Sequence, residues 1–376
     1  MSVISNHLGV AELAVERPAT VLTPERLRQA KKAYTTRFVE SALNRDADGY
    51  WLESSPDTVP ARGDVVLARV ERIGQLPRLE SPASRRQLLF VGDEILLAYG
   101  DRYAADHVHA ELPTDLGPCH LAAAGGLASS VTAFHSNLGR PTDIVPLGIL
   151  ADAGGRVNLN RLAPRRVVPS AMLRKSRATP VLAVLGTSMN AGKSTAAASI
   201  IRGLTRSGLR VAAGKLTGTG AGGDPGLYAD AGASITLDFT DFGYPSTYKV
   251  PVPELLRLAD SLLAALDGAH PDVIVLEIAD GVYQQETAGL LGNKVLRGLF
   301  DGVVFAASDA LGAVNGVEML SKWGLQPLAV TGVLTSSPLA SAETSAVLGA
   351  RVPVVPTLSF CEDEAGRSLL ERLAVR

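Results

Sequence analysis

The run GTSMNAGKST at residues 186–195 has the strongest chemical signature in the chain. It follows the apolar segment 181–185 and precedes an Ala-rich segment typical of a helix. In a glycine-containing turn of this kind, successive backbone N–H groups face a phosphate, and the helix N-terminus adds partial positive charge. Lys193 is expected to contact the β and γ phosphates, and the Ser194 hydroxyl to bind Mg²⁺. The predicted nucleotide contacts are Gly186, Thr187, Asn190, Ala191, Gly192, Lys193, Ser194 and Thr195.

A second chemical feature is the acid that ends the segment DVIVLE. Glu277 follows four apolar residues, a pattern typical of a buried strand. A carboxylate in such a place must pair with a cation, bind a metal or bear the cost of desolvation. Its position downstream of residues 186–195, called the phosphate loop below, favours a role in binding magnesium, and an ion pair with a neighbouring Lys or Arg is the alternative. Asp280 lies at the same strand end and is the other acid that could act there.

Two segments could bind the molecule that accepts the phosphoryl group. Residues 238–249, DFTDFGYPSTYK, combine aromatic rings with hydroxyls, carboxylates and a lysine. Such a lining fixes small polar molecules, although an ordinary surface loop has the same composition. The segment VYQQET, residues 282–287, is the second candidate, with a solvated helix start as its alternative. The predicted substrate contacts are Thr217, Asp241, Tyr244, Ser246, Thr247, Asp280, Tyr283 and Gln284.

Four of the six histidines are clustered in the first half of the chain, namely His107, His109, His120 and His135. In an extended strand His107 and His109 share one face, as two metal ligands would require. The remaining spacings match no zinc pattern, so hydrogen-bonded structural or substrate-contacting histidines are favoured over a metal site.

The elements that position these residues change character near the middle of the chain. Residues 62–100 contain Gly-Asp turns followed by alternating or β-branched residues, which predicts short antiparallel strands of a barrel-like unit. The almost uncharged stretch 119–137, with its paired glycines, predicts a buried element that is ambiguous between helix and loop. Residues 161–180 carry six Arg or Lys, three prolines and no acid. That composition is typical of an interdomain linker, and an anion clamp is the alternative.

After Pro180 apolar strand-like runs, the last of them VPVV at 352–355, alternate with helical segments such as 194–208. This alternation predicts an α/β fold with a mostly parallel sheet covered by helices, and ligands bind such sheets at the carboxyl ends of the strands. We therefore predict a smaller mixed or β-rich, barrel-like N-terminal domain over 1–160 and a basic linker over 161–180. A P-loop NTPase domain is predicted over 181–376.

Composition narrows the class of protein. The 376 residues are 46% hydrophobic and 20% charged, which is typical of a globular chain. With 36 Lys plus Arg against 38 Asp plus Glu, the net charge of −2 favours neither nucleic acid nor an anionic membrane as a partner. The chain shows no basic stretch followed by an apolar core at its start, and its two cysteines form no CxxC pair. A cytoplasmic location is expected.

The C-terminal half resembles one family of phosphate-loop enzymes. Five residues separate Gly186 from Gly192, where the common pattern has four. The resulting GTSMNAGKS is similar to the long loop of the dethiobiotin synthetase and cobyric or cobyrinic acid amide synthase superfamily. Four further segments are similar to family segments, so the resemblance covers about 181–358: KLTGTG at 215–220, Asp230-Ala231, EIADG at 277–281 and LGAVN at 311–315.

The resemblance implies roles for particular residues. Lys215 would face the transferred phosphoryl group, and Asp230, preferred over Asp224, would bind the metal together with Ser194 and Glu277. Lys193, Lys215 and Glu277 would then be the catalytic groups. Met189 departs from the dethiobiotin synthetase pattern, Ser336 stands where the family has an adenine-reading Asn, and neither cysteine has the setting of a glutaminase nucleophile. A biotin precursor and glutamine-derived ammonia are therefore not expected as substrates.

By resemblance, the main hypothesis is an ATP-dependent ligase. With Mg²⁺ it would activate a carboxylate or carbamate of a small molecule as a phosphoryl anhydride, which an amine then captures. A small-molecule kinase is one alternative, and a nucleotide-driven switch or metallochaperone NTPase is another. In a third, residues 1–160 act on a ligand while the C-terminal half supplies energy. ATP is the expected nucleotide, and GTP is the alternative. The expected partners are a small-molecule substrate and a second copy of the chain, as a homodimer.

Overall fold

The computed structural model describes residues 20–39, 49–168 and 179–374. Within these ranges a large mixed sheet forms before residue 157 and a parallel sheet forms after residue 180. The N-terminal strands are β1 (Thr20–Val21), β2 (Lys31–Lys32), β3 (Trp51–Glu53), β4 (Val65–Arg72), β5 (Arg78–Glu80), β6 (Arg86–Leu88), β7 (Glu94–Tyr99), β8 (Arg102–Tyr103), β9 (Val108–Glu111), β10 (Cys119–Ala123), β11 (Leu127–Phe134), β12 (Thr142–Asp152) and β13 (Gly155–Arg156). The C-terminal strands are β14 (Val181–Gly186), β15 (Val211–Thr217), β16 (Ile235–Asp238), β17 (Val273–Ile278), β18 (Gly302–Ala306) and β19 (Ala329–Thr331).

Helices cover the parallel sheet and are few in the N-terminal half. The α-helices of the described residues are α1 (Pro24–Gln29), α2 (Leu159–Leu162), α3 (Lys193–Arg206), α4 (Gly223–Ala231), α5 (Val252–Asp267), α6 (Gln285–Gly292), α7 (Lys294–Arg297), α8 (Ala310–Lys322), α9 (Pro338–Leu348) and α10 (Asp363–Ala374). Short 3₁₀ turns occupy Tyr34–Thr36, Phe239–Phe242, Val333–Ser336, Gly349–Arg351 and Thr357–Cys361. No helix of the described ranges combines the length and apolar character needed to cross a bilayer.

The N-terminal sheet contains a closed circuit of strands. β12 pairs with β4, β4 with β7, β7 with β11, β11 with β10, and β10 again with β12. All but the β7–β11 pair are antiparallel. Residues of the circuit such as Leu67, Leu97 and Ile149 are fully buried. Since closing a sheet on itself removes its exposed edges, this circuit gives the N-terminal half a core of its own.

The stretch 119–137, ambiguous between helix and loop in the sequence, forms two strands. β10 and β11 pair as an antiparallel hairpin whose turn contains Gly125 and Gly126. The first half of β11 is buried and its second half is exposed. The uncharged composition therefore indicates burial in a barrel wall rather than a helix.

The C-terminal sheet has the strand order β16-β15-β17-β14-β18-β19, and every pair is parallel. β14, β17 and β18 are buried along their whole length, as expected of strands covered by helices on both faces. One apolar cluster packs against α5 and α8, and the other against α3 and α10. The predicted strand at 352–355 is reduced to a single bridge between Val330 and Val354.

The two halves of the described chain are in direct contact. Arg37 binds Asp241 with 2.9 Å between Nη2 and Oδ1, and the backbone N–H of Gly222 donates to Glu80 at 3.0 Å. The predicted linker 161–180 begins inside α2, and the backbone N–H of Val168 donates to Ser261 at 3.0 Å. Its residues 169–178 lie outside the described part of the chain.

Candidate functional site

The phosphate-loop run connects β14 to α3 at the carboxyl edge of the parallel sheet. Gly192, immediately before α3, has φ 96°, a left-handed conformation that favours glycine. A Cβ on Gly192 would lie 3.1 Å from the Cα of Gly332, and one on Gly186 would lie 2.8 Å from the carbonyl oxygen of Ala306. The loop therefore needs glycine at both ends, because its backbone is folded tightly against the strands beside it.

The side chain of Lys193 folds over this loop and is hydrogen bonded to it. Its Nζ donates to the carbonyl oxygen of Ser188 at 2.7 Å, and the residue is only 5% exposed. Burial lowers the pKa of Lys193, while the charges of Glu277 and Asp280 act in the opposite direction. A buried ammonium that is hydrogen bonded to a neutral carbonyl is poised to bind an anion, since the anion would offset its desolvation.

A buried network of one lysine and two acids lies beside the loop. Lys215, on β15, is 3.3 Å from Oε1 of Glu277 and also contacts Oδ2 of Asp224. The Tyr228 hydroxyl donates to the other oxygen of Glu277, which is 1% exposed. Burial raises the pKa of Asp224, but the charge of Lys215 and hydrogen bonds from Lys215 and Ser194 outweigh it and hold the pKa below its usual value. Asp224 is therefore ionised at neutral pH.

These residues surround a cavity of about 450 Å³, which falls in the size range of small-molecule sites. Both halves of the chain contribute to its wall. Its lining residues are Arg102, Tyr103, Ala104, Met189, Asn190, Gly192, Lys193, Ser194, Thr195, Lys215, Gly218, Thr219, Asp224, Glu277, Ala279, Asp280 and Val333. A larger, open cavity of about 550 Å³ near Gln326 and Arg372 contains none of these groups, so volume alone does not identify the site.

The donor set fits a magnesium-bound nucleotide. The Ser194 hydroxyl and the carboxylates of Asp224 and Glu277 are the hard oxygen ligands that Mg²⁺ takes, and a nucleotide site needs only one or two of them because phosphates and waters complete the shell.

Among the eight predicted nucleotide contacts, Asn190, Gly192, Lys193, Ser194 and Thr195 line the cavity. Gly186, Thr187 and Ala191 do not, because their backbone groups fix the loop instead. The N–H of Thr187 donates to the Ala306 carbonyl, and the Ala191 carbonyl accepts from Val333, both at 3.0 Å.

The structure corrects the choice of acid on α4. Asp230, preferred from the resemblance, is exposed near the end of the helix and does not line the cavity. Asp224, in the first turn of the same helix, contacts Lys215 and faces the cavity. The two positions are six residues apart, so they lie at opposite ends of a short helix whose N-terminus alone points at the phosphate loop.

A second, much smaller cavity of about 20 Å³ adjoins the first and shares Tyr103, Gly218, Thr219, Ala279 and Asp280 with it. Burial raises the pKa of Asp280, while the charges of Lys193 and Lys215 lower it to a smaller extent. Its remaining lining residues are Thr217, Ser246, Thr247, Tyr248, Gln284 and Glu286. Five of the predicted substrate contacts thus meet here: Thr217, Ser246, Thr247, Asp280 and Gln284.

The other three predicted substrate contacts are elsewhere. Asp241 is bound to Arg37 and to the backbone N–H of Asp238. Tyr244 is buried and donates to Glu254 at 2.7 Å. Tyr283 is 70% exposed and accepts a hydrogen bond from Asn315 at 2.8 Å. None of the three lines either cavity.

The histidines make separate hydrogen bonds. His109 contacts the hydroxyls of Thr132 and Tyr248, and His120 accepts from the N–H of Val131. His107 and His135 contact Gln75 and Asn137 respectively. In the described ranges no three His, Cys, Asp or Glu side chains are grouped as metal ligands.

No protein-family model and no curated protein sequence matches the chain. Its fold is similar to the signal recognition particle receptor FtsY from Elizabethkingia anophelis in complex with GDP, at 15% identity and a TM-score of 0.35, over 57% of this chain and 68% of that chain. The 54 kDa signal recognition particle protein from Aeropyrum pernix K1, also with GDP, matches at 18% identity and 0.35, over 57% and 53%. Chloroplast FtsY from Physcomitrella patens matches at 16% and 0.36, over 57% and 71%.

Matches at this identity and TM-score assign no nucleotide, activity or partner to the chain. None of the comparisons supports the narrower resemblance to dethiobiotin synthetase.

The sequence alone missed several groups of the site. Arg102, Tyr103 and Ala104 reach it from β8 and the turn after it, and Tyr228 binds Glu277 from α4. Tyr228 could have been noticed, since it lies four residues after Asp224 on the same helical face. The three N-terminal residues carry no local signal, because only the contact between the two sheets brings them to the phosphate loop.

Proposed function

We propose that the chain is a magnesium-dependent nucleoside triphosphatase that transfers the terminal phosphoryl group to water. The observation that carries this proposal is the position of Asp280 beside the phosphate loop. It lines both the cavity of about 450 Å³, which has room for a nucleotide, and the small cavity that adjoins it.

In this function the phosphate loop and Lys193 hold the β and γ phosphates, and Lys215 stabilises the negative charge that develops on the transferred group. Ser194, Asp224 and Glu277 would hold Mg²⁺, which neutralises phosphate charge when it is bound. Asp280 is shared by both cavities, so it can accept a proton from a water between them. Its raised pKa makes it a better base than an ordinary aspartate.

The charge around the smaller cavity favours hydrolysis over the ligase hypothesis. Asp280 and Glu286 both line it, and none of the lining residues is a lysine or arginine. A carboxylate substrate would meet two acids of its own sign in a buried space, which is unfavourable. Water, a hydroxyl or an amine would suit that wall better than a carboxylate.

Contact between the phosphate loop and the N-terminal half favours the nucleotide-driven switch among the NTPase alternatives. Asn190 of the loop donates to Asp106 at 2.7 Å, so a ligand that alters the loop also alters this contact. Differential contacts of this kind are what a nucleotide needs in order to shift a conformational equilibrium. ATP is the expected nucleotide, with GTP as the alternative.

The test is hydrolysis of ATP and of GTP in ¹⁸O-labelled water with Mg²⁺, for the wild type and Lys193→Ala. We expect phosphate that carries one solvent oxygen, released by the wild type and not by the variant. Phosphate without solvent oxygen, formed only when a small carboxylate and an amine are added, would instead establish the ligase. Turnover that Lys193→Ala leaves unchanged would refute the assignment of the site.

A further inference from the structure

The N-terminal half contributes one cation to the cavity. Arg102, on β8, lines it together with Tyr103 and Ala104. One end of its guanidinium is anchored, because Nη1 donates to the carbonyl oxygen of Ala122 on β10. The Nε atom is buried and has no hydrogen-bond partner among the described residues. A buried guanidinium donor without an acceptor is costly, and an oxyanion in the cavity would satisfy it.

The segment that carries Arg102 is docked on the phosphate loop. Four residues further on, Asp106 accepts the hydrogen bond from Asn190, and Tyr103 lines both the large and the small cavity. Arg102 is also close enough to Asp280 for that charge to act on it, which counters the effect of burial. Arg102 therefore lies on the side of the cavity where a terminal phosphate would meet a water.

Arg102 also balances the charge of the side chains that line the cavity. The ionisable groups that line the cavity are three acids, Asp224, Glu277 and Asp280, and three bases, Lys193, Lys215 and Arg102. Without Arg102 the lining would carry a net charge of −1, which repels a triphosphate. With it the lining is neutral before Mg²⁺ binds, and the planar guanidinium matches phosphate oxygens in pairs.

We propose that Arg102 binds the γ-phosphate of the nucleotide, so that the N-terminal half supplies an arginine in cis to the phosphate loop. Through this contact the N-terminal half distinguishes a bound triphosphate from a bound diphosphate. This inference rests on the proposed function. It extends that function by giving the N-terminal half a direct contact with the group that is lost on hydrolysis. An arginine placed in this way stabilises the charge of the transition state as well as the bound triphosphate.

The test compares the binding of ADP with that of a non-hydrolysable ATP analogue to the full chain by calorimetry, with Mg²⁺. The variants are Arg102→Gln and Arg102→Lys. The matched control is Arg72→Gln, an arginine of β4 that is paired with Asp143 and lies outside both cavities. Thermal unfolding of each variant shows whether it is folded.

We expect Arg102→Gln to weaken binding of the ATP analogue by at least about tenfold and binding of ADP by less than about twofold, because a charge-assisted contact to one phosphate is lost. Arg102→Lys should recover part of the affinity for the ATP analogue that Arg102→Gln loses. If Arg102→Gln does not fold, Arg102→Lys is the variant used for the comparison. Arg72→Gln should bind both nucleotides as the wild type does.

Equal affinities of wild type and Arg102 variants for both nucleotides would overturn the inference, and so would an equal loss for both, which indicates a structural role. The proposed function fails separately. It would be refuted by a wild type that binds neither nucleotide, or by Lys193→Ala binding both of them as well as the wild type does.

Discussion

Lys215→Met should leave one buried acid, Glu277, and one half-buried acid, Asp224, without their shared cation. Lys215 lies 3.3 Å from Glu277 and contacts Asp224, and the exposed fractions of the Lys215 and Glu277 side chains are 13% and 1%. Removing one partner from a buried charge pair costs about 3–5 kcal/mol, because the remaining charge is desolvated and uncompensated. We therefore expect the free energy of unfolding at pH 7.5 to fall by that amount, as measured by urea denaturation without nucleotide or Mg²⁺.

The pH dependence of this loss follows from the sign of the charge. In the wild type the pKa of Asp224 is depressed, so its contribution to stability is present above its unfolded pKa and is lost as the pH falls through the folded value. Without Lys215 the main cause of the depressed Asp224 pKa is gone, so Asp224 can be protonated at higher pH. The difference between wild type and variant should therefore be largest near pH 7.5 and shrink towards pH 4.

A matched control is available in Lys249→Met. Lys249 also contacts two acids, with 2.5 Å to Glu111 and 3.8 Å to Asp101. The side chains of Lys249 and Glu111 are 42% and 45% exposed, and the buried Asp101 keeps Arg62 as a partner at 2.8 Å. Exposed pairs contribute at most about 1 kcal/mol, so this variant should lose little. The double variant Lys215→Met/Glu277→Gln should regain part of the stability that Lys215→Met loses. A loss for Lys215→Met no larger than that of Lys249→Met, or one that does not depend on pH, would refute the buried network.

Three further variants test other parts of the account. Gly192→Ala should reduce nucleotide affinity, measured by calorimetric titration, by at least about tenfold, because Ala is strained at φ 96° and its Cβ would lie too close to Gly332. The control in the same titration is Gly226→Ala on α4, where an added Cβ meets nothing within 4 Å. Asp280→Asn should lower kcat by about 10²–10⁴-fold while nucleotide binding persists, and a kcat within threefold of wild type would contradict the role of Asp280 as base. In the wild type, the fall of kcat at acid pH should begin above the pH expected for an ordinary aspartate, because burial raises the Asp280 pKa. Burial and the charge of Asp241 raise the pKa of Asp238 from 3.8 to about 6, so its contribution to folding is full below the unfolded pKa and is lost as the pH rises through about 6. Asp238→Asn should therefore gain stability relative to wild type between pH 4 and pH 7, by up to roughly 3 kcal/mol in urea titrations, and a constant difference across that range would contradict the buried carboxylate.

The parts of the fold that could be predicted from sequence are those with a local cause. The parallel sheet follows from apolar runs alternating with helical segments, and the loop between β14 and α3 follows from Gly186, Gly192 and Lys193, whose spacing reflects the backbone geometry it must form. Glu277 was singled out because an acid inside an apolar strand has few alternatives, and the structure places it in the cavity with 1% exposure.

The parts that could not be predicted depend on contacts between distant segments. Composition cannot distinguish Asp224 from Asp230, because both are acids on α4 and only the end of the helix that faces the loop decides between them. Likewise Arg102 precedes the phosphate loop by more than 80 residues, and its role depends on how the two sheets pack. The smaller cavity brings Asp280 and Glu286 together, which favours water over a carboxylate as the acceptor, and this grouping depends on packing that the pattern of residues does not show.

Binding of a nucleoside triphosphate with magnesium by the loop 186–195 and the acids beside it is tested most directly by calorimetric titration of the full chain. The titrants are a non-hydrolysable ATP analogue and its GTP counterpart, each with Mg²⁺ and with EDTA. We expect one nucleotide to bind per chain, with an affinity that falls in EDTA and is lost in Lys193→Ala. Absence of binding by the wild type, or binding that neither EDTA nor Lys193→Ala changes, would contradict this expectation.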